Sequence, residues 1–368
     1  MIHSIKDITD KLYKQLSDAD TKWIHRKRKI TTASIFSQLS YACIERRGLN
    51  HTLLKSGCDF SHQAFSQARR KLPQHVFADI NKALQNTREP RIFAIDGSKI
   101  HVHPTYLQQG CTTRTNKKDV SRPAKRPLIM LSSMLDVNTR TCYDSQVTTY
   151  FNERKSALEH FKVTRPGDTV IFDRGYFSQN LFLKAQNHGL KVVFRLKCDA
   201  LKSVKEFFHS SKTFSVISVL HDGEFSKAYL YKYFIDGKKY ICITNFETSV
   251  ASVKELYALR WKVETSFRRL KTDLCLESAH SSTKHGFVQE LEARILFDTF
   301  AVLTTEKVSS DDANVQSKKK FVGYFHALDA ALRIFHAIQI IREQNLTRHS
   351  LFRILRTKHP ASSSNLPK

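Results

Sequence analysis

The chain has 368 residues and a mass of 42.5 kDa, which fits two or three modules better than one small domain. Lys and Arg number 60 against 34 Asp and Glu, so the formal net charge is +26 and the pI about 9.8. An enzyme of small metabolites needs no such field, whereas a polyanion-binding protein gains affinity from each phosphate that it neutralises. The excess charge is spread along the chain, which excludes a simple basic tail.

Cysteine usage and hydropathy point to a cytoplasmic protein. The seven cysteines are scattered and form no CxxC pair, which argues against a disulfide framework or a zinc ribbon. The first residues carry acids where a signal peptide would be apolar, and no apolar run approaches 18 residues. We therefore expect a soluble protein without a membrane partner, whose polyanion is nucleic acid.

Residues 1–90 predict a helical DNA-binding domain, because they show little β-branched alternation and hold no proline before Pro73. The segment 59–77 contains two apolar-periodic pieces around a short polar junction. One interpretation is a helix-turn-helix that presents Arg69, Arg70 and Lys71 to DNA. The other is a helical bundle whose basic residues are solvated, and the sequence leaves both open.

Residues 91–198 change to an alternation of strands and helices. RIFAID (91–96) and TVIFD (169–173) are short apolar runs that each end at an acid, Asp96 and Asp173, as buried strands would. A hairpin is predicted near Asn138 and helices over 152–161 and from Ser178 to Gly189. The basic loop 104–127 leaves the strand that bears Asp96 and is a candidate DNA contact.

The remainder predicts a β-strand insertion over 199–250 and mostly helices afterwards. Asp236-Gly237 between two alternating runs is a strong hairpin signal. A long helix is predicted over 253–273, within a second core segment 251–305. Residues 306–368 are expected to form a C-terminal helical region with a disordered tail.

Four polar residues of the predicted long helix share one stripe. At about 3.6 residues per turn, Tyr257, Arg260, Glu264 and Lys271 fall within an arc of roughly 60°, beside an apolar face. Salt-bridge patterning on a solvated helix would give the same stripe. The strand-end acids favour function, since Asp96, Asp173 and Glu264 could hold two Mg²⁺ ions, or Mn²⁺, for in-line displacement at phosphorus.

The chain resembles the DDE transposases of bacterial insertion-sequence family four, which carry a YREK signature. The resemblance rests on AIDGS (94–98), VIFDRGYFS (170–178) and Tyr257-x2-Arg260-x3-Glu264-x6-Lys271. It implies an α/β, RNase H-like mixed sheet core with an all-β insertion, an N-terminal helical domain and C-terminal helices. Asp96, Asp173 and Glu264 would be catalytic metal ligands, and Tyr257, Arg260 and Lys271 would contact DNA at the element ends.

The resemblance also implies cut-and-paste transposition, with hydrolysis at terminal inverted repeats, 3′-OH transfer into target DNA and a homodimer at synapsis. DRGYFS departs from the DREAD-like run of the family, so a hairpin intermediate is not assigned. Arg174 would shield substrate charge or pair structurally. The rival functions are an inactive or domesticated DNA-binding protein and an RNase H-like nuclease without strand transfer.

Overall fold

The computed structural model describes residues 2–24, 29–56, 58–85, 89, 91–113, 126–279 and 281–311. The chain divides into two compact units. The first comprises residues 1–84 and the chain from 296 onwards, and the second comprises residues 85–295. The expected C-terminal region from 312 and the centre of the basic loop, 114–125, lie outside the described residues.

The first unit is helical where it is described, as the sequence predicts. Its helices are α1 (Ile2–Asp20), α2 (Thr32–Glu45), α3 (Leu49–Lys55), α4 (His62–Lys71) and α5 (Val76–Leu84). Helix α4 begins at Ser61, whose hydroxyl accepts from the Ala64 amide, and ends before Pro73. Phe36, Phe65 and Phe77 are fully buried in its core.

The second unit is built on one mixed eight-stranded sheet in the order β3-β2-β1-β4-β5-β8-β7-β6. The strands are β1 (Ile92–His101), β2 (Leu128–Asp136), β3 (Thr141–Thr148), β4 (Thr169–Phe172), β5 (Lys191–Arg195), β6 (Phe214–His221), β7 (Glu224–Ile235) and β8 (Lys238–Thr244). Strands β1, β4 and β5 run parallel, and every other pairing is antiparallel. The mixed α/β class expected from the sequence is confirmed.

Helix α6 (Glu153–Phe161) connects β3 to β4, and helix α7 (Gln179–Asn187) connects the parallel strands β4 and β5. Each has a polar N-cap: the Ser178 hydroxyl accepts from the Leu181 amide, and the Asn152 side chain accepts from the Lys155 amide. Their apolar faces cover a core of stacked rings that includes Phe172 and Phe194, 4.5 Å between centroids. This packing fixes the first turn of α6 close to the strand ends.

The prediction that the strand after Arg91 stops at Asp96 is wrong. Strand β1 continues to His101 because its outer side stays paired with β2 after its pairing with β4 has ended. Asp96 is the first residue of β1 beyond the last pair with β4. Asp96 therefore lies within β1, just past the end of β4, whereas the sequence suggested that it ends its strand.

The segment 199–250 joins the main sheet through the pairing of β5 with β8. Its hairpin turns at Asp236 and Gly237, both with positive φ, as predicted. It holds more than strands, because helix α8 (Lys202–His209) precedes β6. Tyr231 and Tyr233 of β7 are buried in its packing.

The single helix predicted over 253–273 is also wrong. The chain forms α9 (Val250–Ala258), α10 (Trp261–Arg268) and a π-helical turn (Arg269–Asp273), followed by α11 (Lys284–Asp311). Between α9 and α10 the amides of Leu259, Arg260, Lys262 and Val263 each bond three residues back, which tightens the helix. No helix in the described residues is long and apolar enough to cross a membrane.

Candidate active site

Asp96 and Asp173 lie side by side because of strand register. The parallel pairing of β1 with β4 ends at Ile95 opposite Phe172, so the next residue on each chain is an aspartate. Both follow fully buried apolar runs, and both side chains keep partial exposure, 23% and 39%. The structure thus brings the two strand acids to one edge of the sheet core.

The guanidinium of Arg260 joins these two acids to the third. Its Nη2 donates to Glu264 Oε1 at 2.7 Å, while Nη1 lies 3.8 Å from Asp96 Oδ2 and Nε 3.8 Å from Asp173 Oδ1. The Arg260 side chain is only 10% exposed. One buried cation therefore faces all three predicted catalytic carboxylates, and it points into the acid cluster where the resemblance implied a DNA contact.

Tyr257 is likewise directed at the acids, donating its hydroxyl to Asp173 Oδ1 at 2.9 Å. Burial acts to raise the pKa of Asp173, but the Arg174 amide, Tyr257 and Arg260 outweigh it and hold that pKa below its ordinary value. Burial, reinforced by the Asp173 charge, raises the pKa of Tyr257. Asp173 is accordingly held ionised, with a protonated phenol as its donor.

Asp96 has the opposite electrostatics. Burial raises its pKa from 3.8 to about 6, although the Gly97 amide and Arg260 counteract it. The charges of Glu153 and Asp173 add to the rise. Two neighbouring aspartates thus differ in how readily they hold a proton, a pattern that is common at functional sites.

The rest of the YREK stripe lies on the irregular helix. Glu264 is in α10, 42% exposed, and Lys271 is in the π-helical turn, where its Nζ donates to the Lys99 carbonyl of β1 at 2.9 Å. The four residues therefore face the β1 and β4 strand ends from one side, despite the broken helix. Irregular helical turns are frequent at functional sites.

A fourth carboxylate, Glu153, was missed by the sequence reasoning. It is the first residue of α6, and its carboxylate lies over two glycines. A Cβ added at Gly97 would stand 3.0 Å from its Oε1, and one at Gly175 would stand 3.7 Å from its Oε2. The available signal was a glycine shortly after each strand acid, since glycine in a strand often marks close approach of another group.

Other predicted residues lie at the periphery. Arg174 is exposed, and its amide bonds the Asp173 carboxylate. Arg69, Arg70 and Lys71 form the last turn of α4, with Arg70 and Lys71 exposed, where cations also favour the helix dipole. Whether this turn faces DNA stays a prediction.

The donor chemistry of the site fits a hard divalent cation, since all candidate ligands are carboxylate oxygens. As the side chains stand, no three His, Cys, Asp or Glu groups of the described residues converge tightly enough to hold a metal ion. The guanidinium of Arg260 supplies the positive charge that faces these acids in the structure. A buried Tyr176 hydroxyl without a protein partner in the described chain lies beside them.

Comparison with known proteins identifies the family of the chain. A family model described as the transposase DDE domain matches residues 87–297. The chain belongs to the DDE transposase family. No curated protein matches it at a significant level.

Among solved structures, a cryo-EM structure of the piggyBac transposase synaptic complex with hairpin DNA aligns with a TM-score of 0.53 and 13% identity, covering 97% of this chain and 84% of that chain. A Drosophila P element transposase strand transfer complex aligns with a TM-score of 0.26 and 12% identity, covering 91% and 72%. The first match supports a shared transposase fold, and the second is too weak to add to it. The matched segment 87–297 contains the whole candidate site of this DDE transposase domain.

Proposed function

We propose that this DDE transposase moves a bacterial insertion sequence of family four by cut-and-paste transposition, in the cytoplasm and on nucleoid DNA. The reaction is hydrolysis at the terminal inverted repeats followed by 3′-OH attack on target DNA. The observation that carries the proposal is the convergence of Asp96, Asp173 and Glu264 on the single buried guanidinium of Arg260. A solvated salt-bridge stripe would not be buried against two strand ends.

Asp96, Asp173 and Glu264 would hold two Mg²⁺ ions, or Mn²⁺ in their place. When bound, such ions ready the attacking oxygen and stabilise the leaving 3′ oxygen. The protein's own residues orient the acids: Tyr257 fixes one oxygen of Asp173, and Arg260 fixes one oxygen of Glu264. Each carboxylate therefore keeps its other oxygen outside these two hydrogen bonds.

Double-stranded DNA is the proposed partner, as element ends and as target. Lys271 and the exposed Arg174 are proposed to neutralise backbone phosphates beside the acids. Arg69, Arg70 and Lys71 are proposed to bind the end sequence from the helical unit. Because two ends must be joined to one target, we propose a homodimer at synapsis.

The test is cleavage of a duplex that carries the element's inverted repeat, with Mg²⁺, by wild type and Glu264→Gln. The matched control is Glu255→Gln, which makes the same charge change at an exposed position of α9. We expect nicking at the repeat by wild type and the control, and end binding without nicking by Glu264→Gln.

The outcomes separate the rival functions. Equal nicking by wild type and Glu264→Gln would overturn the Glu264 assignment. Specific end binding without cleavage by any variant would favour the inactive or domesticated DNA-binding protein. Specific cleavage with no joined product on supercoiled target would favour a nuclease without strand transfer.

A further inference from the structure

The loop after β4 and the first turn of α6 are fastened together beside the acids. Arg154 donates from Nε to the Tyr176 carbonyl and from Nη2 to the Gly175 carbonyl, both at 3.1 Å. Asn152 caps the helix by accepting from the Lys155 amide. Glu153 lies between these two anchors, so its backbone is held in place and its side chain is directed over the strand ends.

Two glycines make room for that side chain. An alanine methyl at Gly97 would come within 3.0 Å of Glu153 Oε1 and 3.1 Å of its Cγ, and one at Gly175 within 3.7 Å of Oε2. These glycines follow Asp96 directly and Asp173 by two residues. The Glu153 carboxylate therefore occupies space that ordinary side chains after the two catalytic aspartates would fill.

An unpartnered hydroxyl marks the same place. Tyr176 is 1% exposed, and its hydroxyl has no hydrogen-bond partner among the described residues. Burial raises the pKa of Tyr176, and the charges of Glu153, Asp96 and Asp173 raise it further, so the phenol lies in the field of all three carboxylates. A buried hydroxyl without a partner destabilises the folded protein, and a water or ligand in this space would offset that loss.

We propose that Glu153 is a fourth carboxylate of the active site, and that a divalent cation draws it together with Asp96 and Asp173, three groups that do not converge tightly as the side chains stand. The inference rests on the proposed function and deepens it. It extends the metal-binding set from the two strands and the helix of Glu264 to the N-terminus of α6. Carboxylate oxygen from a rigid helix terminus is a ligand type that Mg²⁺ and Mn²⁺ prefer.

The experiment is calorimetric titration of the full chain with Mn²⁺ alone, without DNA. We expect Glu153→Gln to weaken Mn²⁺ binding at least tenfold, a loss of the size seen when groups that orient or complete a metal site are removed. Glu159→Gln is the matched control, because it makes the same charge change on the same helix. The Glu159 side chain is half-exposed and pairs with Lys162. It should bind Mn²⁺ within twofold of wild type.

The glycines beneath the Glu153 carboxylate, Gly97 and Gly175, offer a second, independent variant. Gly97→Ala should weaken Mn²⁺ binding by displacing the Glu153 carboxylate. It should have no further effect in a Glu153→Gln background, where that carboxylate is already lost. Additive losses would mean that the methyl acts elsewhere. Circular dichroism in EDTA checks that each variant is folded. If Glu153→Gln does not fold, Glu153→Asp replaces it in the titration.

Mn²⁺ binding by Glu153→Gln equal to that of wild type would overturn the inference, as would the absence of Mn²⁺ binding by wild type. If wild type nicks the inverted repeat while Glu153→Gln binds Mn²⁺ normally, only the role of Glu153 fails. If wild type does not nick but the titration shows the expected loss, the proposed function fails and the fourth carboxylate stands.

Discussion

The sheet side and the helix side of the candidate site are built by different means. On the sheet side, Asp96 and Asp173 are placed by the backbone register of β1 and β4, one residue beyond their last parallel pair. On the helix side, Arg260 and Glu264 follow a tightened helical junction and reach the strand ends only through side-chain contacts. Backbone pairing therefore fixes the strand acids, whereas the helix side depends on the ion pairs of Arg260 and on buried apolar residues such as Val263 and Phe267.

Among the substitutions that test this difference between the two sides, Arg260→Ala should cause the largest loss of stability. Removing the guanidinium leaves three acids around a buried space without their cation, and we expect the metal-free protein to lose about 3 kcal/mol of unfolding free energy. Urea unfolding in EDTA measures the loss. Arg260→Lys should recover part of it, because an ammonium restores the charge but not the three-way reach. A loss below about 1 kcal/mol would show that the helix side is held by packing alone.

Asp96→Asn should change stability in the opposite direction. The raised pKa of Asp96, about 6 against 3.8, means that the folded protein binds this proton more tightly than the unfolded chain. Wild type should therefore lose stability as pH rises from about 4 to 6, by at most about 3 kcal/mol. Asp96→Asn should remove this slope and stabilise the metal-free protein at pH 7. An unchanged slope in thermal melts with EDTA would contradict the burial of this charge.

Tyr257→Phe tests the bond that crosses from the helix side to the sheet side. Losing a hydrogen bond to a half-exposed carboxylate should cost about 1 kcal/mol at pH 7. The pKa of Asp173 is held low, so this contribution is present above its ordinary pKa and lost as pH falls through the folded value. The cost should therefore shrink in acid, where Asp173 is protonated. A pH-independent cost would indicate lost ring packing in place of the hydrogen bond.

The sequence predicted the local parts of this site and missed what depends on pairing. Apolar runs ending at Asp96 and Asp173 were visible, and so was the spacing of Tyr257, Arg260, Glu264 and Lys271. The break in the helix at Arg260 could not be predicted, because Leu259 and Arg260 are both good helix formers. At this junction the amides bond carbonyls three residues back, and helix propensity does not encode that hydrogen-bond pattern.

Glu153 was hidden for a related reason. It lies 20 residues before Asp173 in a charged helix whose acids and bases also fit a solvated face. Only the register of β1 with β4 brings Gly97 and Gly175 beneath its carboxylate. A glycine follows Asp96 directly and Asp173 by two residues, but nothing in the local sequence indicates which group approaches them.

Lys271→Met should give the smallest change in stability and a specific change in DNA binding. Its bond to the Lys99 carbonyl is exposed, so we expect unfolding free energy to shift by less than about 0.5 kcal/mol. If Lys271 also neutralises one end phosphate, the slope of log affinity against log salt should become shallower by about 0.9. Filter binding to the inverted repeat at several salt concentrations measures this slope, with exposed Lys254→Met of α9 as the control. An unchanged slope would leave Lys271 as a tether of the π-helical turn to β1, and the helix side would then contact DNA through other cations.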